Sequence, residues 1–243
     1  MHEVGRVVYG SMNYGLNGPD SDKDYKVFLC PNLNDLYDCH KADSGDLRSK
    51  DSNGNELSPM DVRRFNQLCV AGNVNVTEYL FSVETYMSSE FWAYYGAAKR
   101  LYENGYLVLV WDKWFASLEG LVKNSLDRYG ANRKSMSRAY YFYLLATTLV
   151  VEDFRMNDNT WRKNNWNNTV KEMRFNPATW MPTNEELFKS LSAVKETGKN
   201  RAKLLLENKE EYYKKLKEDA DNLDRLAHTF VANELKYEFL MGE

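Results

Sequence analysis

Three histidines and three cysteines in 243 residues leave this sequence short of the side chains that most enzymes use as nucleophile, base or soft metal ligand. Cys30, Cys39 and Cys69 are odd in number and never take a Cys-x-x-Cys spacing, which argues against a disulfide framework and against a zinc ribbon. They read as reduced thiols. His2, His40 and His228 belong to no His-Glu-x-x-His run, and none lies near a Gly-x-Ser-x-Gly nucleophile motif. Neither a Gly-x-x-x-x-Gly-Lys-Ser/Thr loop nor a Gly-x-Gly-x-x-Gly run occurs, so P-loop and Rossmann readings lack their main support. No apolar run is long enough to span a bilayer, and no apolar h-region follows Met1. The expectation is a cytoplasmic protein with no membrane partner. A net charge of −3 denies the whole chain the electrostatic signature of a nucleic-acid binder. What remains is carboxylate and metal chemistry on a chain whose 43% apolar content can build a sizeable core.

The carboxylates that matter lie near the start. Val4 to Tyr9 reads as a short apolar strand ending at Gly10-Ser11, and Tyr25 to Leu29 reads as a second strand leaving Asp22-Lys23-Asp24. Two carboxylates one residue apart on a strand face the same side, because side chains alternate with a period of two. Asp22 and Asp24 would therefore converge, and such a pair is costly to keep ionised unless a cation neutralises it. Hard oxygen donors suit Mg²⁺ carrying nucleotide phosphates. A Gly-Ser turn upstream would offer backbone N–H groups and a hydroxyl to those phosphates. Read as local chemistry alone, Gly-Pro-Asp-Ser is ordinary turn material.

This arrangement resembles the polymerase-β-type nucleotidyltransferases, and within them the predicted nucleotidyltransferases associated with RNA ligases. The resemblance rests on Gly10-Ser11-x-x-Tyr14-Gly15-Leu16 and on Pro19-Asp20-Ser21-Asp22-Lys23-Asp24. It extends loosely to Asp61-Val-Arg-Arg-Phe-Asn-Gln-Leu68 and to Gly72-Asn-Val-Asn-Val-Thr-Glu-Tyr-Leu-Phe81. It implies an α+β fold: a small mixed β-sheet nucleotidyltransferase core over residues 1–110, followed by a helical bundle over 111–243 that forms the other wall of a nucleotide cleft. It also implies a third carboxylate from a later strand. Asp61, between Met60 and Val62, is the candidate, on a short strand beside the Asp22/Asp24 strand. The local alternative is that Asp61, after Ser58-Pro59, caps the helix beginning at Val62.

Asp22, Asp24 and Asp61 would then be catalytic and bind Mg²⁺ or Mn²⁺, while Gly10, Ser11 and Lys134 hold the phosphates of an NTP. Lys134 enters because the resemblance implies a lysine near the start of a later helix. The chain departs from the resembling pattern at Tyr140 and Tyr143, where a histidine and an arginine are expected. The implied activity is transfer of a nucleoside monophosphate from an NTP to a hydroxyl with loss of pyrophosphate. An RNA or tRNA end is the favoured acceptor, and a protein or a small molecule the alternative. A non-catalytic nucleotide or RNA binder on the same fold is the reading from a different class.

Beyond Leu57 the spacing of apolar residues turns helical. It predicts helices over Val62–Ala71, Ser89–Tyr102, Trp111–Arg128 and Ser135–Phe154, a further helix opened by the capping box Thr183-Asn-Glu-Glu186, and an amphipathic helix or helical hairpin over Asn200–Leu240. Residues 38–57, rich in Asp, Ser, Gly, Asn and Lys, read as an exposed loop or a mobile hairpin between the second and third strands. Between Leu121 and Phe175, ten basic residues stand against five acidic ones, with Tyr129, Tyr140, Tyr141, Tyr143, Trp161 and Trp166 interleaved. Basic and aromatic side chains together hold phosphates and stack bases, although Tyr140 to Leu149 also reads as an apolar packing helix.

Overall fold

The computed structural model of the chain describes residues 1–18, 21–32, 35, 48–158, 160 and 164–241. Among these are five strands: β1 (His2–Tyr9), β2 (Asp24–Cys30), β3 (Ser49–Lys50), β4 (Glu56–Asp61) and β5 (Thr85–Met87). Eight helices follow or interleave: α1 (Val62–Ala71), α2 (Val74–Leu80), α3 (Ser89–Glu103), α4 (Leu107–Tyr129), α5 (Arg133–Val151), α6 (Asn164–Phe175), α7 (Asn184–Asn208) and α8 (Glu210–Met241). The fold is α+β, a mixed sheet with a helical carboxy-terminal region.

The sheet runs in the order β3-β4-β2-β1-β5. β1 pairs antiparallel with β2 and β5, whereas β2 and β4 run parallel. That single parallel pair decides which side chains meet at the candidate site. Its register sets Asp24 beside Glu56 and Lys26 beside Ser58. One face of the sheet, carrying Val7, Phe28, Cys30 and Met60, packs into the main core, and the other face carries a smaller cluster of Val8, Tyr25 and Val27. Alternation along the strands separates these two sets.

Helix boundaries follow local chemistry. α3 starts where Ser88 accepts a hydrogen bond from the Phe91 N–H, and α7 starts at the Thr183–Glu186 capping box. α1 ends at Gly72, whose φ of 70° is the left-handed conformation typical of a helix stop. α4 is kinked at Val110, which keeps non-helical angles. The boundary expected at residue 110 falls at this kink, and one apolar cluster from Val4 to Val231 runs through both sides of it. α8 folds back across the chain to pack on α1 and α3, and α7 packs on α4 and α5.

The expected amphipathic segment Asn200–Leu240 is the end of one helix and most of a second, broken at Lys209 and packed on different neighbours. β5, α2 and α6 were not expected. Of the expected loop, residues 38–47 lie outside the described residues. Its remainder holds β3, a turn in which the Asp51 carboxylate accepts from the Asn53 and Asn55 N–H groups, and the start of β4. Cys39, His40, Trp161, Arg162, Lys163 and the side chain of Trp166 likewise lie outside the described residues.

Candidate active site

β1 ends at Tyr9, and Gly10 turns the chain with φ of 78°. A residue with a Cβ pays a steric penalty in that conformation, so glycine is the natural occupant. The turn closes on itself: the Leu16 N–H donates to the Ser11 carbonyl at 2.8 Å and the Gly15 N–H to the Met12 carbonyl at 3.0 Å. It is held from the core side by Glu78 of α2. That buried carboxylate accepts from the Gly10 N–H and from the Tyr14 hydroxyl, and the Glu78 carbonyl accepts from Asn13 Nδ2 at 3.0 Å.

Asp24 opens β2 directly opposite this turn. It pairs with Tyr9 across the antiparallel ladder and with Glu56 across the parallel one. Its carboxylate lies against the Gly10 backbone, so that a Cβ built on Gly10 would stand 2.9 Å from Asp24 Oδ2. Burial first, then the neighbouring Asp22 and Glu56, hold the Asp24 carboxyl above its ordinary value, while Lys134 and Arg48 act in the opposite sense. Tyr9 shares this field. Burial and the charges of Asp24 and Glu56 push its hydroxyl up to about 12.

Asp22 is exposed, in the approach to β2. Lys23 between the two carboxylates turns to Glu84, 2.6 Å away. Asp22 and Asp24 interact electrostatically but line separate hollows. Asp24 lines a cleft of about 290 Å³ with Gly10, Ser11, Tyr129, Lys134, Arg138 and Arg174. Asp22 lines a more open groove of about 630 Å³ with Met12, Ser21, Tyr25, Asn53 and Asn55. Pro19 and Asp20 of the motif lie outside the described residues.

Asp61 is not brought to Asp24. It does sit on the strand beside β2, but opposite Leu29, five residues along from the Asp24–Glu56 pair, roughly 17 Å at the rise of a strand. Five is odd, so its side chain also belongs to the other face of the sheet from Glu56. It caps α1 instead: Oδ1 accepts from the Arg63 N–H at 2.7 Å, and the Arg63 guanidinium closes an ion pair on it. The carboxylate from a later strand that stands next to Asp24 is Glu56. Glu56 fell at the end of the segment read as a loop, and a parallel register leaves no local trace in a sequence.

The opposite wall of the cleft is basic. Lys134 lies in the first turn of α5 and Arg138 one turn later, a spacing that places both on one helix face. Arg174 of α6 joins them, and its guanidinium is held below its ordinary value by burial and by the charge of Arg138. Arg133 by contrast is structural, donating to the carbonyls of Met173, Pro177 and Thr179. Tyr140 and Tyr143 pack partly buried against the core, their rings 5.4 Å apart, and Tyr141 is fully buried. Of the interleaved aromatics among the described residues, Tyr129 lines the cleft, 60% exposed.

Among the described residues, no three His, Cys, Asp or Glu side chains stand close enough to form a complete metal cage. The donor set near Asp24 is nonetheless hard oxygen carrying mutual repulsion, which suits a divalent cation such as Mg²⁺. Glu56 is engaged by exposed Arg48 at 3.0 Å, a surface ion pair that opens at little cost. Comparison with known protein families, curated proteins and solved structures gave no match.

Proposed function

We propose that the chain is a metal-dependent nucleotidyltransferase that moves a nucleoside monophosphate from an NTP to a hydroxyl acceptor. One observation carries this reading: a glycine-serine turn and the Asp24 carboxylate, which has Glu56 beside it in the parallel register, line one wall of a cleft whose other wall holds Lys134, Arg138 and Arg174. Carboxylates facing cations across a gap suit a ligand that brings both phosphates and a divalent metal. A purely apolar or purely basic pocket would not.

In this reading Asp24 and Glu56 would hold Mg²⁺ or Mn²⁺, which would supply charge neutralisation on the phosphates and lower the pKa of the attacking hydroxyl. Lys134, Arg138 and Arg174 hold the β- and γ-phosphates, with Ser11 and the turn's backbone N–H groups on the opposite side. The acceptor oxygen forms a bond to the α-phosphorus as the bond to pyrophosphate breaks in line. The hydroxyl proton would pass to the carboxylate pair as the new bond forms. Positioning and charge neutralisation carry the rate. The open groove on the Asp22 side is the approach for an acceptor, and an RNA end is favoured by the net basic charge of residues 121–175, of which Lys134, Arg138 and Arg174 line the neighbouring cleft. No helix among the described residues is long and apolar enough to cross a membrane.

That no three metal-ligating side chains come together among the described residues favours a second reading, a non-catalytic nucleotide binder. Incubation with Mg²⁺ or Mn²⁺, each α-labelled NTP, and cellular RNA and protein separates the two. Label on an acceptor with the native chain, absent with the Asp22→Ala/Asp24→Ala double variant, establishes transfer. Nucleotide binding without label on RNA, protein or small molecules establishes the binder.

A further inference from the structure

A buried polar chain runs behind the phosphate-binding wall of the cleft. Glu78 is 2% exposed, on the largely buried helix α2, an expensive place for a carboxylate unless it is fully used. Its two oxygens take different tasks. One accepts the Gly10 N–H, the other the Tyr14 hydroxyl. Burial pushes the Glu78 carboxyl up, and the charge of Arg138 with these two donors opposes that push. Arg138 stands with its guanidinium 5.6 Å from the centre of the Tyr14 ring and 5.8 Å from that of Phe142. Its buried Nε has no hydrogen-bond partner among the described residues, and the same side chain lines the cleft beside Arg174.

An apolar packing role would not need a charge at Glu78. A helix-stabilising role would not need it to leave α2 and grip the Gly10 turn. The geometry points to Glu78 as a positioning residue: with Tyr14 and Arg138 it holds the Gly10–Ser11 turn in the shape that receives a polyphosphate. Arg138 is the member that touches the anion. This rests on the nucleotidyltransferase reading above. Gly10 supports Asp24 as well as the turn, so the same grip sets where the carboxylate stands relative to the phosphates. Glu78→Gln keeps the volume and one acceptor oxygen while removing the charge that Arg138 faces. Tyr14→Phe keeps the ring and removes only the hydroxyl.

Calorimetric titration with inorganic tripolyphosphate, without metal or acceptor and well below each variant's melting temperature, tests this. Hydrogen bonds to charged groups set the scale, so Glu78→Gln is expected to weaken binding about tenfold or more, and Tyr14→Phe about threefold or more. If Glu78→Gln fails to fold, Tyr14→Phe carries the test. Native affinity in either folded variant, whatever its melting temperature, makes Glu78 a structural residue only and overturns the inference. Failure of the native protein to bind tripolyphosphate both alone and with Mg²⁺ overturns the nucleotidyltransferase reading itself, and the inference with it.

Discussion

Glu56→Gln and Asp61→Asn make a matched pair of substitutions, each removing one charge at nearly constant volume, with opposite expected outcomes. Glu56 stands beside Asp24 in the parallel register; Asp61 stands five residues away, roughly 17 Å along the strand, on the other face. At that separation Asp61 cannot share a cation or a phosphate with Asp24. What Asp61→Asn removes is half of a partly buried ion pair with Arg63, while asparagine keeps the helix cap. A charged hydrogen bond of this kind is worth about 2 kcal/mol. For a chain of this size that lowers the melting temperature by about 4–8 °C. Transfer activity measured on the folded protein should stay within about twofold of native. Glu56→Gln gives up only a surface pair with Arg48 and relieves repulsion on Asp24, so its melting temperature should change little. Its rate should fall about 100- to 1000-fold, the loss typical of a missing electrostatic group at a reacting centre. Labelled-nucleotide transfer and thermal melts on the same preparations supply both numbers. An active Glu56→Gln protein beside an inactive, well-folded Asp61→Asn protein would refute the register argument.

Three further outcomes follow from the geometry. The raised Asp24 carboxyl means the folded state binds more protons than the unfolded one, so this group makes stability fall as pH rises from its unfolded value through its folded one. Asp24→Asn should therefore melt higher than native at neutral pH, with the difference vanishing below about pH 4, and a lower melting temperature at neutral pH would contradict the assignment. Gly10→Ala places a Cβ 2.9 Å from Asp24 Oδ2 at a φ of 78°; the conformation costs about 1–2 kcal/mol, while displacing the carboxylate should cost about a hundredfold in rate. Denaturant melts and initial rates separate the two effects, and full activity would show that Asp24 does not act from this position. Gly198→Ala puts a Cβ 2.4 Å from the Trp111 ring where α7 crosses α4, so overpacking of about 1–3 kcal/mol should outweigh the gain in helix propensity of about 1 kcal/mol. A urea midpoint above the native one would count against that packing.

Much of the architecture is legible along the chain because its causes are local. α1 spans the expected Val62–Ala71, and the Thr183 capping box opens α7 where the motif stands. The edges of β1 and β2 follow the apolar runs that flank Gly10-Ser11 and Asp22-Lys23-Asp24. A period of 3.6 or 2, a cap and a left-handed glycine are each decided by a few neighbours. Glu78 left one signal of this kind, the lone charged residue between Val74 and Phe81.

What only the tertiary structure decided is which charges share a space. Asp61 satisfied two local patterns at once, strand and cap, and the parallel register of β2 with β4 gave the place beside Asp24 to Glu56 instead. Lys134 reached the cleft, whereas its neighbour Arg133 was spent on the carbonyls of Met173, Pro177 and Thr179. Arg138 and Arg174 came together from helices 36 positions apart. In a chain with 28% charged residues, local composition does not distinguish one carboxylate or guanidinium from another. Strand register and helix packing do, because electrostatic coupling depends on distance through space and not on separation along the chain.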